Sequence, residues 1–317
     1  MSRTGYFSHP NCRLHDMGGG HPECPGRLDA IEDRLLVTGL ADVLDRREAP
    51  QAPLADIELA HSRRHVATLR GLVDALRDDV LAGGPARTQV DPDTSMNVHS
   101  WDAMLRAAGA TIAATDAVLA GELANAFCAI RPPGHHAGRE QAMGFCFLNN
   151  VAIAARYALE RHGLKRVAIV DFDVHHGNGT ENIVAGDERI LMVSFFQHPF
   201  YPMGGSQSDA GNLVNVPVPA YSRGDVIRDL VEHQWLPRLE AFAPEMIFIS
   251  AGFDAHREDE LGQLGLVEQD YVWITQRLRE VALRHAGGRI VSALEGGYNL
   301  SALGRSVEAH VRVLADV

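Results

Sequence analysis

The sequence predicts one α/β domain: a central, mostly parallel sheet with helices packed on both of its faces. Short apolar runs rich in β-branched residues recur along the chain, and amphipathic stretches of helical period separate them. A further observation orients the sheet. Four of the runs are followed at once by glycine-flanked polar residues, as expected at the carboxyl edge of a parallel sheet, where ligands bind.

In chain order the predicted strands are Ala126–Ile130, Val167–Val170, Ile190–Val193, Met246–Ile249 and Ile290–Ala293. The predicted helices are Trp101–Gly121, Asn150–His162, Arg223–Phe242, Asp270–His285 and Ala302–Leu314. Ser222, with Asp225 three residues on, predicts a capping box opening the third of these helices. Gly163 and Gly287 stand where a helix would end. The stretch Asp78–Asn97, rich in Gly, Pro and Asp, predicts a surface loop, too short to divide domains. No repeat, low-complexity tract or linker interrupts the pattern, so residues 1–317 are expected to form one domain.

Composition narrows the function classes. A hydrophobic fraction of 46% is enough for a sizeable core. The formal charge of −12 gives no general attraction for phosphates, so direct nucleic-acid binding is not expected, whereas basic proteins would be attracted. No apolar run approaches the ~20 residues of a membrane span, and the first ten residues lack the apolar core of a signal peptide, so a cytoplasmic protein is expected. Cys12, Cys24, Cys128 and Cys146 show no CxxC spacing; Cys12 and Cys24 could pair, but reduced thiols are expected in that compartment.

The chemistry lies just after the strands. Arg131-Pro-Pro-Gly-His135-His136 follows the first, Asp171-Phe-Asp173-Val-His175-His176-Gly-Asn178 the second, Ser250-Ala-Gly-Phe-Asp254 the fourth and Glu295-Gly-Gly-Tyr298 the fifth. Asp173 and His175 are two apart, so an extended segment would point both the same way. Asp254 from another strand can close a set of two carboxylates and one imidazole. Three protein ligands leave room for water and substrate, the pattern of a catalytic rather than a structural zinc. Taken alone, Asp171 and Asp173 would read as helix caps; four polar strand ends together outweigh that. His256, two residues beyond Asp254, is an alternative ligand or a residue of the rim. The glycine before His135 and His136 can aim both rings into one pocket, with Asp171 and Asn178 as partners that fix their tautomers.

In this order and spacing, RPPGHHA, GFCFLNN, VDFDVHHGNGT, SAGFDAH and EGGYN resemble the zinc-dependent histone deacetylase family of the arginase–deacetylase fold. The resemblance runs from about His21 to Tyr298. It implies Zn²⁺ on Asp173, His175 and Asp254, His135 and His136 as the paired general base and acid, and Tyr298 bonding the substrate carbonyl. Asn178, where relatives have Asp or Asn, points to the class II enzymes. The resemblance further implies that Phe145 and Tyr201 wall a substrate tunnel, that the Gly144 backbone borders the substrate, and that Asp93 grips the substrate backbone. It places Arg27 near an internal product exit. It also implies a structural K⁺ held by Asp171, Asp173, His175, Ser194 and Phe195.

Acetylpolyamine amidohydrolases share these motifs. In those relatives a long loop insertion narrows the site, and a glutamate stands at the tunnel mouth. Here Asp78–Asn97 is short, and the matching position is Leu261, with Glu260 adjacent. The expected substrate is therefore an acylated lysine in a protein or peptide, with an acylated small amine as the alternative; a homo-oligomer stays open. Two remoter readings are an arginase-like ureohydrolase, which needs more Asp ligands than SAGFDAH offers, and a silent acyl-lysine binder, which would not need His135, His136 and Tyr298.

Overall fold

The computed structural model describes residues 3–204 and 210–317. Eight parallel strands form one sheet: β1 (Thr4–Ser8), β2 (Asp45–Glu48), β5 (Asn125–Cys128), β6 (Val167–Asp171), β7 (Ile190–Gln197), β8 (Leu213–Val218), β9 (Met246–Ala251) and β10 (Ile290–Leu294). Their spatial order is β2-β1-β5-β10-β9-β6-β7-β8, so β5, β10, β9 and β6 are four consecutive neighbours. These are the four strands whose carboxyl ends carry the polar motifs. A two-stranded antiparallel hairpin, β3 (Arg87–Asp91) and β4 (Thr94–Asn97), stands outside the sheet.

Two apolar cores cover the two sheet faces, and strand alternation sorts the residues between them. In β6, Val167 and Ile169 enter one core while Ala168 and Val170 enter the other. Helices Arg63–Leu81, Ser100–Leu119 and Asn150–Glu160 bury their apolar sides in the first core. Helices Gly26–Val37, Glu268–His285 and Leu300–Ala315 close the second. Among the described residues no helix is long and apolar enough to cross a membrane. All four cysteines are free thiols.

The five predicted strands and five predicted helices are present, with ends shifted by up to four residues. Gly163 and Gly287 follow helix ends with φ of 71° and 59°. The predicted capping box does not form. Ser222 donates its hydroxyl to the Pro219 carbonyl at 2.8 Å, and its own carbonyl accepts from Gly265 N, so the helix starts at Gly224 instead. From there Gly224–Leu230 and Leu236–Phe242 run on through a π-helical turn at Val231–Trp235. Asp78–Asn97 is not an irregular loop: its first residues finish helix Arg63–Leu81, and its last form the hairpin.

β2 reads Asp-Arg-Arg-Glu, with no apolar signature, because it is an edge strand with little to bury. β8 carries Pro217 and lies at the opposite edge, where a missing N–H is tolerated.

Candidate active site

Gly134 begins the site. A Cβ there would meet Asn150 N at 2.6 Å and Leu148 O at 2.8 Å, so only glycine lets this turn press against the start of helix Asn150–Glu160. Gly134 N and His135 N both donate to Glu295 Oε2, at 2.7 and 3.1 Å, and Ser250 Oγ donates to Glu295 Oε1. A carboxylate at the end of β10 therefore fixes the turn after β5. The His135 and His136 rings lie 4.0 Å apart and both are buried.

Each ring has its own partner. His135 Nδ1 bonds Asp171 Oδ2 at 3.1 Å, and His136 Nδ1 bonds Asn178 Oδ1 at 2.7 Å. Burial alone would lower His135, but the Asp173 and Asp171 carboxylates outweigh it and push its pKa up to about 10. His136 is held well below the ordinary histidine value, first by burial and then by the charges of His135 and His175. Adjacent imidazoles are thus shifted in opposite directions: the His135 Nδ1 faces the Asp171 carboxylate, whereas the His136 Nδ1 faces the neutral Asn178 amide.

Strand β6 ends at Asp171, so Asp173 and His175 do not sit on a regular strand as expected. Their contact comes from a turn: His175 N and Nδ1 both reach Asp173 Oδ1, at 2.9 and 3.1 Å. Asp173 Oδ2 accepts from Gly296 N at 2.8 Å, and Asp254 Oδ1 from Val174 N at 2.9 Å. One donor atom from each of Asp173, His175 and Asp254 lies within 4.8 Å of the others. His256 does not join them; its Nδ1 accepts from Glu258 N, and its Nε2 lies 3.6 Å from Glu268.

This donor set fits a divalent cation. Asp254 Oδ2 is buried and has no hydrogen-bond partner among the described residues, although His175 Nδ1 is 3.2 Å away. Burial and the neighbouring Asp173 charge push the Asp254 carboxyl up to about 7. Burial disfavours charge on His175, but the Asp173 and Asp254 carboxylates beside it outweigh that and raise it to about 10. Two carboxylates crowded around one imidazole thus hold a proton that a metal cation would displace. Room for the ion is kept by glycine: a Cβ on Gly296 would lie 2.0 Å from Asp254 Oδ2, and one on Gly252 2.0 Å from Asp173 Oδ2.

Above the cluster opens a cavity of about 240 Å³. Gly144, Phe145, Tyr201, Leu261 and Asp93 all line it, together with His136, His175 and Tyr298. Phe200 and Glu260 line it as well, and sequence reasoning assigned neither to the wall. The Phe200 ring stacks on His175 at 5.4 Å, and Tyr201 meets the His136 ring edge-on at 5.3 Å. Phe145 adopts φ 69° and its N–H bonds Thr94 Oγ1 at 2.9 Å, so the hairpin that carries Asp93 also holds this wall. Tyr298 N and Asn299 N are both held by Asp259 Oδ2, and the Arg27 guanidinium lies 4.9 Å over the Tyr298 ring.

Arg27 sits below the cavity, fully buried, donating to the carbonyls of Gly297 and Glu295. It shares Glu23 with Arg131, which grips both carboxylate oxygens. Ser194 is the cross-strand partner of Asp171, with Phe195 next along β7; Ser194 Oγ bonds Asn215 Oδ1 at 2.9 Å. Glu295, Asp259, Glu23 and Thr94 are the positioning residues that sequence reasoning missed. Of these only Glu295 carried a signal, its place beside the glycines after β10.

A histone deacetylase domain model matches residues 21–314. A histone deacetylase-like amidohydrolase of Pseudomonas aeruginosa is 39% identical, covering 94% of this chain and 82% of its own length. A probable deacetylase of Archaeoglobus fulgidus is 36% identical over the same shares, 94% and 82%. The crystal structure of the HDA15 HD domain superposes with a TM-score of 0.89 at 34% identity, covering 100% of this chain and 90% of that one.

Proposed function

The chain belongs to the histone deacetylase family, and from that premise we propose that it is a zinc-dependent deacetylase that hydrolyses the N-acyl amide of an acylated lysine in a polypeptide. The observation that carries this reading is the buried Asp173–His175–Asp254 cluster at the foot of an aromatic-walled cavity lined also by Tyr298 and His136. Asp173, His175 and Asp254 would hold the zinc, which when bound supplies Lewis acidity toward the amide carbonyl and the attacking water.

The remaining steps belong to the chain's own groups. With its Nδ1 proton committed to Asn178, His136 presents Nε2 as the proton acceptor for the attacking water. The same nitrogen then returns that proton to the leaving amine as the amide C–N bond breaks, releasing carboxylate and free amine. His135, cationic beside Asp171, stabilises the negative charge that develops. Tyr298, which lines the cavity, donates its hydroxyl to the oxyanion, while Asp259 fixes its backbone. Phe145, Phe200 and Tyr201 exclude water from a linear methylene chain. The pairing of Asp171 with Ser194 across β6 and β7 supports a K⁺ shared by Asp171, Asp173, His175, Ser194 and Phe195.

Glu260, lining the cavity beside Leu261, favours a second reading, an acylated polyamine whose distal ammonium would meet that carboxylate. The two are separated by measuring kcat/KM side by side on an acetyl-lysine peptide, N-acetylputrescine and N-acetylspermidine with the zinc-loaded enzyme. The peptide is expected to be the better substrate. A clear preference for the polyamines overturns that, and Glu260→Leu then tests the carboxylate.

A further inference from the structure

The cavity over the metal cluster has a neighbour. Leu261 lines the cavity, and the next residue, Gly262, lines a second, more open cleft of about 500 Å³. Tyr221, Arg223 and Arg257 form its other sides. Three short segments lie side by side there. Arg223 forms an isolated bridge to Gly265 and His256 one to Leu266, and Arg257 N donates to Leu266 O at 2.9 Å. At about 4.8 Å between neighbouring strands, the two arginine backbones flank the Gly265–Leu266 segment roughly 10 Å apart. Both arginines line the one cleft.

Both arginines are exposed, and among the described residues neither guanidinium has a carboxylate, carbonyl or ring partner. That is uncommon in a chain with 41 acidic residues against 29 basic ones. Of the nearby carboxylates, Glu258 and Glu268 both grip Arg305, and Asp270 pairs with Arg228 at 2.8 Å. Tyr221, 74% exposed and held at φ 66°, adds a phenol to the rim. Two cations facing one concavity repel each other, and an anion seated between them relieves both.

We propose that the Arg223–Arg257 cleft binds an acidic side chain of the polypeptide whose acylated lysine occupies the adjoining cavity, so that these two arginines determine specificity for acidic sequence near the lysine. This rests on the acyl-lysine reading of the site. The shared wall at Leu261–Gly262 sets the geometry: a peptide leaving the cavity mouth crosses into the cleft within a few extended residues, at about 3.3 Å each.

The test uses a series of acetyl-lysine peptides, otherwise neutral, in which an Asp–Glu pair is moved stepwise along both sides of the lysine. Each is measured with the zinc-loaded wild type and with Arg223→Ala, Arg257→Ala and the double variant. A preference at one narrow range of offsets is expected, falling about two- to five-fold with each arginine removed, as for exposed ion pairs, and shrinking as salt rises. A minimal acetyl-lysine amide, too short to reach the cleft, should be hydrolysed equally by all four proteins. Binding of a labelled acidic peptide with unmodified lysine, followed by fluorescence anisotropy, should weaken in the double variant whether or not the protein hydrolyses acyl-lysine. Failure to hydrolyse even the minimal amide defeats the acyl-lysine reading alone. No offset preference, a preference that survives in the double variant, or unchanged anisotropy overturns the cleft assignment.

Discussion

Asp254 Oδ2 is the atom on which the metal assignment turns, because it is buried with no hydrogen-bond partner among the described residues. Asp254→Ala removes one of three protein donors and should lose both bound zinc and activity, checked by metal analysis of the purified protein. Retention of about one zinc per chain would overturn the assignment. Tyr298 tests catalysis separately from metal binding. Its hydroxyl is assigned to the oxyanion and to none of the three ligand atoms, so Tyr298→Phe should keep zinc and KM while kcat falls about 10²–10³-fold. A near-wild-type rate would exclude that role. Neither residue acts alone: Asp254 Oδ1 is fixed by Val174 N, and the Tyr298 backbone by Asp259.

At the scale of the elements, close approaches of backbone to backbone decide where helices may sit. Gly109 lies inside helix Ser100–Leu119, where alanine would ordinarily gain about 1 kcal/mol. Here a Cβ would stand 1.9 Å from the Pro50 carbonyl oxygen. The segment cannot retreat easily, because Ala52 N bonds the Leu105 carbonyl and Arg106 bonds the Ala49 carbonyl. Gly109→Ala should therefore destabilise the protein by about 2 kcal/mol, as overpacking does, seen as a lower urea midpoint. A midpoint at or above wild type would show that this packing yields. The same logic explains why the start of helix Gly224–Leu230 needs glycine: a Cβ would lie 2.0 Å from Asp270 Oδ1, the residue whose Oδ2 caps the next long helix by accepting from Val267 N.

Across the whole molecule, polar groups are buried far from solvent and must be matched there. His310 is one such group, wedged between Thr275 Oγ1 at 2.7 Å and Ser292 Oγ at 2.9 Å, with Phe127, Phe172 and Phe253 around its ring. Burial pushes its pKa down to about 3. Above pH 6.5 it is neutral both folded and unfolded, and its contribution is complete. As pH falls from 6.5 toward 3, the unfolded chain takes up a proton that the folded one refuses, and stability is lost at about 1.4 kcal/mol per pH unit. His310→Gln should therefore be less stable than wild type at pH 7, with the gap narrowing by about 2 kcal/mol by pH 5. Denaturant titrations of both proteins at the two pH values check this; a constant gap would show that His310 is not held neutral.

What the sequence determined by itself was the sheet and the chemistry at its edge. The strands β5, β6, β7, β9 and β10 are wholly buried, and burial on both faces writes itself as unbroken apolar runs. The polar residues after four of them converge because those strands are neighbours. Asp171 and Asn178 were legible as candidate partners of the two histidines, and the structure places Asp171 on His135 and Asn178 on His136. Edge strands left no apolar trace, and the Ser222 cap failed because its carbonyl was bound to Gly265, a partner distant in sequence. Only the tertiary structure could place Glu295 against the Gly134 turn, 161 residues away, or Glu23 between two buried arginines. It also decided that His135 and His136, side by side and identical in type, are shifted in opposite directions, since His135 bonds the Asp171 carboxylate and His136 the Asn178 amide.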